Sequence, residues 1–126
     1  MIRIHTEKAP AAVGPYSQAI VSGGMVYTSG QIGIDPITNT ITADTIEGQT
    51  EQIMRNLAAV LETAGSSFEK AVKTTCYLAD MNDFAAFNEI YGKYFTSLPA
   101  RSCVAVKALP KGALAEVEVI AESVLD

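Results

Sequence analysis

The sequence contains one histidine, His5, no tryptophan and only two cysteines, Cys76 and Cys103. Zinc sites are built from several closely spaced Cys and His ligands, and the sequence has neither an H-E-x-x-H motif nor a paired Cys/His spacing. A Ser-His-Asp or Cys-His nucleophile would need His5, which we expect instead at the surface of a first strand. The two cysteines lie in different apolar stretches, which favours buried free thiols over a disulfide. We therefore expect neither a metal site nor a histidine-activated nucleophile.

Basic residues are also few, nine against fourteen acidic residues, which gives a net charge of −5. The nine cations are scattered along the chain, whereas a nucleic-acid-binding protein usually carries a basic stripe that neutralises phosphates. The GxGxxG and P-loop patterns are absent as well, so nothing indicates a nucleotide cofactor. We expect no nucleic-acid partner.

Long hydrophobic runs are missing too. No apolar stretch approaches the roughly 20 residues that span a bilayer, and the N-terminus lacks the apolar core of a signal peptide. Hydrophobic residues make up 48% of the chain and charged residues 18%, which is typical of a globular protein. A length of 126 residues predicts a single domain, residues 1–126, with a cytoplasmic location and no membrane partner.

The first half of the chain predicts a β-hairpin followed by a helix. Gly23-Gly24 indicates the hairpin turn, because both glycines accept positive φ. The helix is expected to begin near Asp44, since Asp44 and Glu47 have the spacing of a capping box, and to stop at Gly65. The two strands of the hairpin are expected in the apolar runs Ser17 to Ser22 and Met25 to Ser29.

The second half predicts a strand, a helix and two more strands. Apolar and polar residues alternate from Val72 to Leu78, and a second helix is expected from Met81-Asn82-Asp83 to a stop at Pro99. Asn88 falls on the apolar stripe of that helix. The last two strands are expected at Arg101 to Lys107 and Ala115 to Glu122, where Glu116 and Glu118 share one face and Val117, Val119 and Ala121 the other.

Together with a first strand near His5, these elements give the order βββ-α-β-α-ββ, which is that of an α+β domain. Two helices can cover only one face of such a sheet. Because the other face also carries many apolar side chains, we expect it to be buried by self-association.

Arg101 and Glu116 together suggest a site where a small carboxylate reacts with water. Each also has a structural interpretation, as an edge-strand cation and as an exposed carboxylate. The same holds for Asn88, which could satisfy a nearby backbone group, and for Tyr16, which could be an ordinary loop aromatic. Cys103 is expected to pack rather than react, because no general base for it is visible. The sequence alone does not bring these side chains together.

Short motifs spread along the whole chain combine into one set. The most specific is Pro99-Ala100-Arg101-Ser102 at the start of a strand, with Glu116 fifteen residues after Arg101. The others are Gly14-Pro15-Tyr16-Ser17-Gln18-Ala19, Ser29-Gly30-Gln31, Gln49-Thr50 ahead of Asn56-Leu57, and Asp83-Phe84 with Asn88 and Tyr91. The set resembles the Rid family of reactive intermediate deaminases, also called the YjgF or L-PSP endoribonuclease family. The combination of Arg101 and Glu116 resembles the pattern of the RidA subgroup, whose members hydrolyse imines.

This resemblance implies a chorismate-mutase-like fold with two helices on one face of a mixed sheet. It also implies a homotrimer packed through its sheets, with three equivalent clefts between subunits. The last two strands would not be hairpin neighbours, so Arg101 and Glu116 would reach a cleft from different places in the sheet. The substrate-binding residues that it implies are Tyr16, Ser29, Gly30, Asn88, Arg101 and Cys103.

The implied activity is the hydrolysis of 2-iminobutanoate and 2-iminopropanoate, which form from enamines, to 2-oxo acids and ammonia, a metabolite-damage-control role. Arg101 would clamp the substrate carboxylate through paired hydrogen bonds, and Glu116 would position and deprotonate a water. A protonated imine is already electrophilic, so neither metal nor cofactor is expected.

Two other functional classes stay open. The family's second name implies an endoribonuclease or translation inhibitor, with Arg101 binding phosphate and Glu116 acting as base. The third class is a non-enzymatic small-metabolite binder or chaperone-like protein.

Overall fold

The computed structural model describes residues 1–125, which are built around a six-stranded mixed β-sheet. Its strands are β1 (Ile2–Ile4), β2 (Ala19–Ser22), β3 (Met25–Thr28), β6 (Ala71–Leu78), β7 (Ala100–Ala105) and β8 (Ala115–Glu122). Their spatial order is β1-β2-β3-β8-β6-β7. A separate two-stranded hairpin consists of β4 (Ile34–Asp35) and β5 (Thr40–Ile41).

The order of the strands separates β7 from β8. β6 lies between them and pairs parallel with β7 and antiparallel with β8. The other neighbouring strands of the sheet are antiparallel. The expectation that the last two strands are not hairpin neighbours is therefore confirmed.

The hairpin of β2 and β3 turns at Gly23 and Gly24, as predicted. Their φ values are +60° and +77°, a region that residues with a Cβ rarely adopt. The paired strands are shorter than the predicted runs, although the Ser29 N–H still donates a hydrogen bond of 2.9 Å to the Gln18 carbonyl across the hairpin.

The first helix, α1, spans Ile46–Thr63, and the predicted capping box is wrong. Thr45 is the N-cap: its backbone is extended and its hydroxyl accepts a hydrogen bond of 3.1 Å from the Gly48 N–H. The third helical position is therefore Gly48, which has no side chain to close a box, and Glu47 lies one position too early.

The end of α1 agrees with the sequence. Gly65 has a φ of +69°, and the Ser66 and Gly65 N–H groups donate to the carbonyls of Leu61 and Glu62. This pair of hydrogen bonds is a Schellman motif, which glycine favours because no Cβ opposes the left-handed conformation.

The second helix, α2, spans Phe84–Tyr94 and follows a short 3₁₀ turn, Met81–Asp83. Both helices pack on the same face of the sheet. The helix α1 contacts β8, and Tyr91 of α2 contacts Thr74 of β6, which is in register with buried Val119. The Tyr94 hydroxyl donates a hydrogen bond of 2.6 Å to Glu51 of α1, which links the two helices. No helix in residues 1–125 is long and apolar enough to cross a membrane.

The opposite face of the sheet has no helix on it. It carries exposed Tyr27 and Val104, but also Glu116, Glu118 and Lys73. The face is therefore mixed, and less apolar than the sequence pattern predicted.

Candidate functional site

Arg101 lies on β7, the edge strand, directly beside Thr74 of β6. Thr74 is buried and also pairs with Val119, a core residue of β8. Because residues in register on neighbouring strands point the same way, Arg101 points to the face covered by the helices. The cation therefore lies against α2.

The guanidinium of Arg101 is held by three side chains of α2. One N–H donates a hydrogen bond of 2.5 Å to the Asn88 side-chain oxygen. The guanidinium carbon lies 4.8 Å from the ring centre of Tyr91 and 5.4 Å from that of Phe84, which gives two cation–π contacts. Among residues 1–125, no carboxylate forms an ion pair with this cation. Arg101 is thus a held positive charge whose counter-ion the described chain does not supply.

A cavity of about 460 Å³ opens beside this cation. Tyr91 forms one wall, and its ring is fixed by a hydrogen bond of 2.8 Å between its hydroxyl and that of Thr74. Burial raises the pKa of Tyr91, so the hydroxyl stays protonated and neutral near pH 7. The residues lining this cavity are Asn88, Tyr91, Gly92, Phe95, Leu98, Pro99 and Arg101.

Glu116 lies on β8, and its side chain points to the face without helices. Its neighbours in sequence, Ala115 and Val117, are fully buried on the helix side, so the alternation of the strand turns Glu116 the other way. Burial and, to a smaller extent, the negative charge of Glu118 raise the pKa of Glu116 above that of an ordinary glutamate. A carboxylate with a raised pKa is a stronger base, which suits a group that takes a proton from water.

Tyr16, Ser29, Gly30 and Glu116 line a second cavity of about 490 Å³. Gly30 lies directly against the Glu116 carboxylate. The Ser29 hydroxyl donates a hydrogen bond of 2.6 Å to the Ser17 carbonyl, which links the end of β3 to the loop before β2.

One residue that supports this cavity was given no role from the sequence. Gln18 is buried, and its side-chain nitrogen donates to the carbonyls of Thr6 and Pro10 at 3.0 and 2.8 Å. Its side-chain oxygen accepts from the Thr6 N–H at 2.7 Å. Gln18 thus fixes the segment 6–10, of which Pro10 lines the second cavity. The only sequence feature that could have indicated this role is the position of the glutamine, next to apolar Ala19 at the start of a strand.

The predicted site residues fall into two groups within one chain. Asn88 and Arg101 line the first cavity, on the helix side, and Tyr16, Ser29, Gly30 and Glu116 line the second. Arg101 and Glu116 point to opposite faces of the sheet, so one chain does not bring them to one small substrate.

Cys103 lines neither of these two cavities. It lies in register with Cys76 on the neighbouring strand, and both are free thiols. Burial raises the pKa of Cys103, although the nearby Arg101 opposes the shift, and burial raises that of Cys76 to about 12. Both sulfurs are thus protonated near pH 7, which agrees with a packing role and disfavours nucleophilic attack.

Comparison with known proteins places this arrangement in a family. Residues 6–123 match the family described as endoribonuclease L-PSP. A RutC family protein of Synechocystis sp. is 53% identical over 121 residues, which cover 94% of this chain and 93% of the relative. The 2-iminobutanoate/2-iminopropanoate deaminase of Mus musculus is 49% identical over 119 residues, or 94% of this chain and 88% of the relative.

A solved structure agrees with the fold. The crystal structure of E. coli TdcF with bound serine has a TM-score of 0.91 and 41% identity, and the match covers 97% of this chain and 98% of that one. The predicted fold class, two helices on one face of a mixed sheet in a chorismate-mutase-like arrangement, is confirmed. The chain therefore belongs to the endoribonuclease L-PSP family, also known as the Rid or YjgF family.

Proposed function

We propose that the protein is an imine deaminase that hydrolyses 2-iminobutanoate and 2-iminopropanoate to 2-oxo acids and ammonia. The observation that carries the proposal is the Arg101 guanidinium, which is held in place beside a cavity without a carboxylate partner in residues 1–125. The deaminase name of the mouse relative points to the same chemistry.

Arg101 would bind the carboxylate of the 2-imino acid. Asn88 occupies one N–H of the guanidinium, and the remaining N–H groups can donate two parallel hydrogen bonds to one carboxylate. The rings of Phe84 and Tyr91 keep the plane of the guanidinium fixed, so little side-chain freedom is lost when the substrate binds.

Glu116 would act as the general base. As the water oxygen bonds to the imine carbon, a water proton passes to the carboxylate and the C=N electron pair moves to nitrogen. The protonated Glu116 then returns the proton to the amine. The C–N bond breaks and ammonia leaves; as the C=O bond of the 2-oxo acid forms, the hydroxyl proton passes to the Glu116 carboxylate, which then gives it to the departing ammonia. One protonated imine and one water thus give one 2-oxo acid and one ammonium ion.

The site requires more than one copy of the chain. Arg101 and Glu116 face opposite sides of the sheet in one chain, and a four-carbon substrate cannot reach both through it. We propose a homotrimer in which the Arg101 cavity of one subunit faces the Glu116 cavity of the next. The helix-free face, with exposed Tyr27 and Val104, would supply part of the contact between subunits.

The test is the rate of ammonia release from 2-iminobutanoate generated in situ by an amino-acid oxidase with catalase present. We expect the wild-type protein to accelerate release over the spontaneous rate, and Glu116→Gln to lose about 10² to 10⁴ of that acceleration. Incubation with single-stranded RNA under the same conditions should leave the RNA intact. RNA cleavage without imine hydrolysis would favour the ribonuclease. Binding of 2-oxobutanoate without either reaction would favour a metabolite binder.

A further inference from the structure

Backbone strain in this protein is concentrated at the two cavities. Three non-glycine residues among residues 1–125 have a positive φ: Asn39, Leu98 and Lys111. Asn39 and Lys111 line the cavity of Glu116, and Leu98 lines the cavity of Arg101. Such residues persist only where the surrounding structure enforces them, and they cluster at functional sites.

Leu98 is the least expected of the three. Its φ is +57°, and leucine has no polar side chain to form a compensating local hydrogen bond there, unlike asparagine. Leu98 also precedes Pro99, and the proline ring normally holds the preceding residue in an extended conformation. The side chain is 86% exposed, so core packing does not offset this strain.

The turn that carries Leu98 is fixed at both ends. On one side Phe95 is buried and its ring stacks on that of Tyr91 with 4.5 Å between ring centres. The Leu98 N–H donates a hydrogen bond of 3.3 Å to the Phe95 carbonyl. On the other side Ala100 is in register with Lys73 of β6. An exposed apolar side chain is thus held rigidly at the wall of the cavity that contains Arg101.

We propose that Leu98 packs against the aliphatic side chain of the 2-imino acid and sets the preference for longer side chains. This inference rests on the proposed deaminase function. With the substrate carboxylate on Arg101, the side chain attached two bonds away lies within the same cavity, where Leu98 is a large apolar wall residue without a partner in the core.

The test compares the imines of alanine, 2-aminobutyrate and norvaline, which differ by one methylene each. The variant is Leu98→Asn, because asparagine accepts positive φ and is close to leucine in size but polar. The control is Ile37→Asn, which removes an apolar side chain that is 92% exposed and lines neither cavity.

In the wild-type protein kcat/KM should rise along the series. In Leu98→Asn the gain in kcat/KM from each added methylene should shrink by up to about fourfold. This factor corresponds to about 0.8 kcal/mol per buried methylene. The methyl substrate should be least affected, and oligomer mass and Tm should stay at or above wild type. Ile37→Asn should keep the wild-type series.

Three results separate the possibilities. An unchanged series in an intact, active Leu98→Asn oligomer would overturn the role of Leu98 and leave the deaminase function standing. Dissociation of Leu98→Asn would also overturn it, because the leucine would then be an interface anchor. If wild-type protein hydrolysed none of the three imines, the proposed function itself would fail.

Discussion

Gly30 lies so close to Glu116 that a methyl group on its Cα would stand 2.7 Å from the carboxyl carbon of Glu116. Real Cβ atoms do not approach other atoms that closely. The absence of a side chain at Gly30 is therefore what allows the Glu116 carboxylate to occupy its position in the second cavity.

Gly30→Ala should displace the Glu116 carboxylate and slow imine hydrolysis, at most by the roughly 10² to 10⁴ expected for loss of the base. The fold should survive, since Gly30 is exposed and the clash is with the end of a flexible side chain. The measurement is kcat/KM together with Tm. In the double variant with Glu116→Gln, the alanine should cause little further loss, because both changes remove one function. A full additional loss would mean that Gly30 acts independently of Glu116.

The fall of kcat/KM on the acid side of its pH profile should reflect the protonation of Glu116. The base works only when deprotonated, so kcat/KM should fall as pH drops through the pKa of Glu116, at a higher pH than for an ordinary glutamate. Glu118→Gln removes one cause of the raised pKa and should move this limb to lower pH. Part of the elevation should remain, because burial is the larger cause.

Glu122→Gln is the control for charge, since Glu122 lies on the same strand and is exposed. Its pH profile should match that of the wild-type protein. If Glu118→Gln left the limb unmoved, the group titrating there would not be Glu116.

Asn88→Asp should weaken substrate binding without weakening the fold. The new carboxylate would keep the hydrogen bond to Arg101 but also neutralise its charge and compete with the substrate carboxylate. We expect KM to rise by about tenfold or more, since a hydrogen bond to a charged group contributes about 1.5–3 kcal/mol. Tm should not fall. Asn88→Ala, which removes the hydrogen bond but adds no charge, should raise KM less; the reverse order would argue against carboxylate binding at Arg101.

Arg101→Lys should fail almost as badly as Arg101→Ala. An ammonium group keeps the charge but cannot offer paired planar donors or stack between Phe84 and Tyr91. Loss of one or two charge-assisted hydrogen bonds predicts a kcat/KM about 10- to 10⁴-fold lower. The measurement pairs this rate with oligomer mass on the same samples. An alanine variant that dissociates would make Arg101 a structural cation at an interface.

Mixed oligomers should show that each site uses two chains. Arg101→Ala and Glu116→Gln subunits, inactive alone, should recover activity when they are unfolded and refolded together. If the subunits associate at random in a trimer with shared clefts, about a quarter of the sites should contain both an intact Arg101 and an intact Glu116 and be active. Wild type mixed with the double variant is the control and should also keep about a quarter, whereas sites within one chain would keep about half. If the first mixture recovered no activity, either both residues of a site would come from the same chain or the two residues would not share a site.

The sequence determined the elements of this fold and the chemistry of its side chains, because both depend on residues close together in the chain. Alternation along β8 separates Glu116 from Val117, and Gly65 ends α1 through its own φ. There were two local exceptions: the short hairpin of β4 and β5 was not predicted, and the start of α1 was misplaced. Asp44 and Thr45 are both good N-caps, and choosing between them required the backbone that precedes the helix.

The tertiary structure decided which residues face the same space. Pairing of β6 with both β7 and β8 joins segments far apart in the chain, and no local pattern encodes that order. It turns Arg101 towards Asn88 and α2 and leaves Glu116 on the other face, beside Gly30. The strain at Leu98 was equally hidden, since a leucine before a proline predicts an extended backbone, and only the fixed turn between Phe95 and β7 enforces the left-handed one.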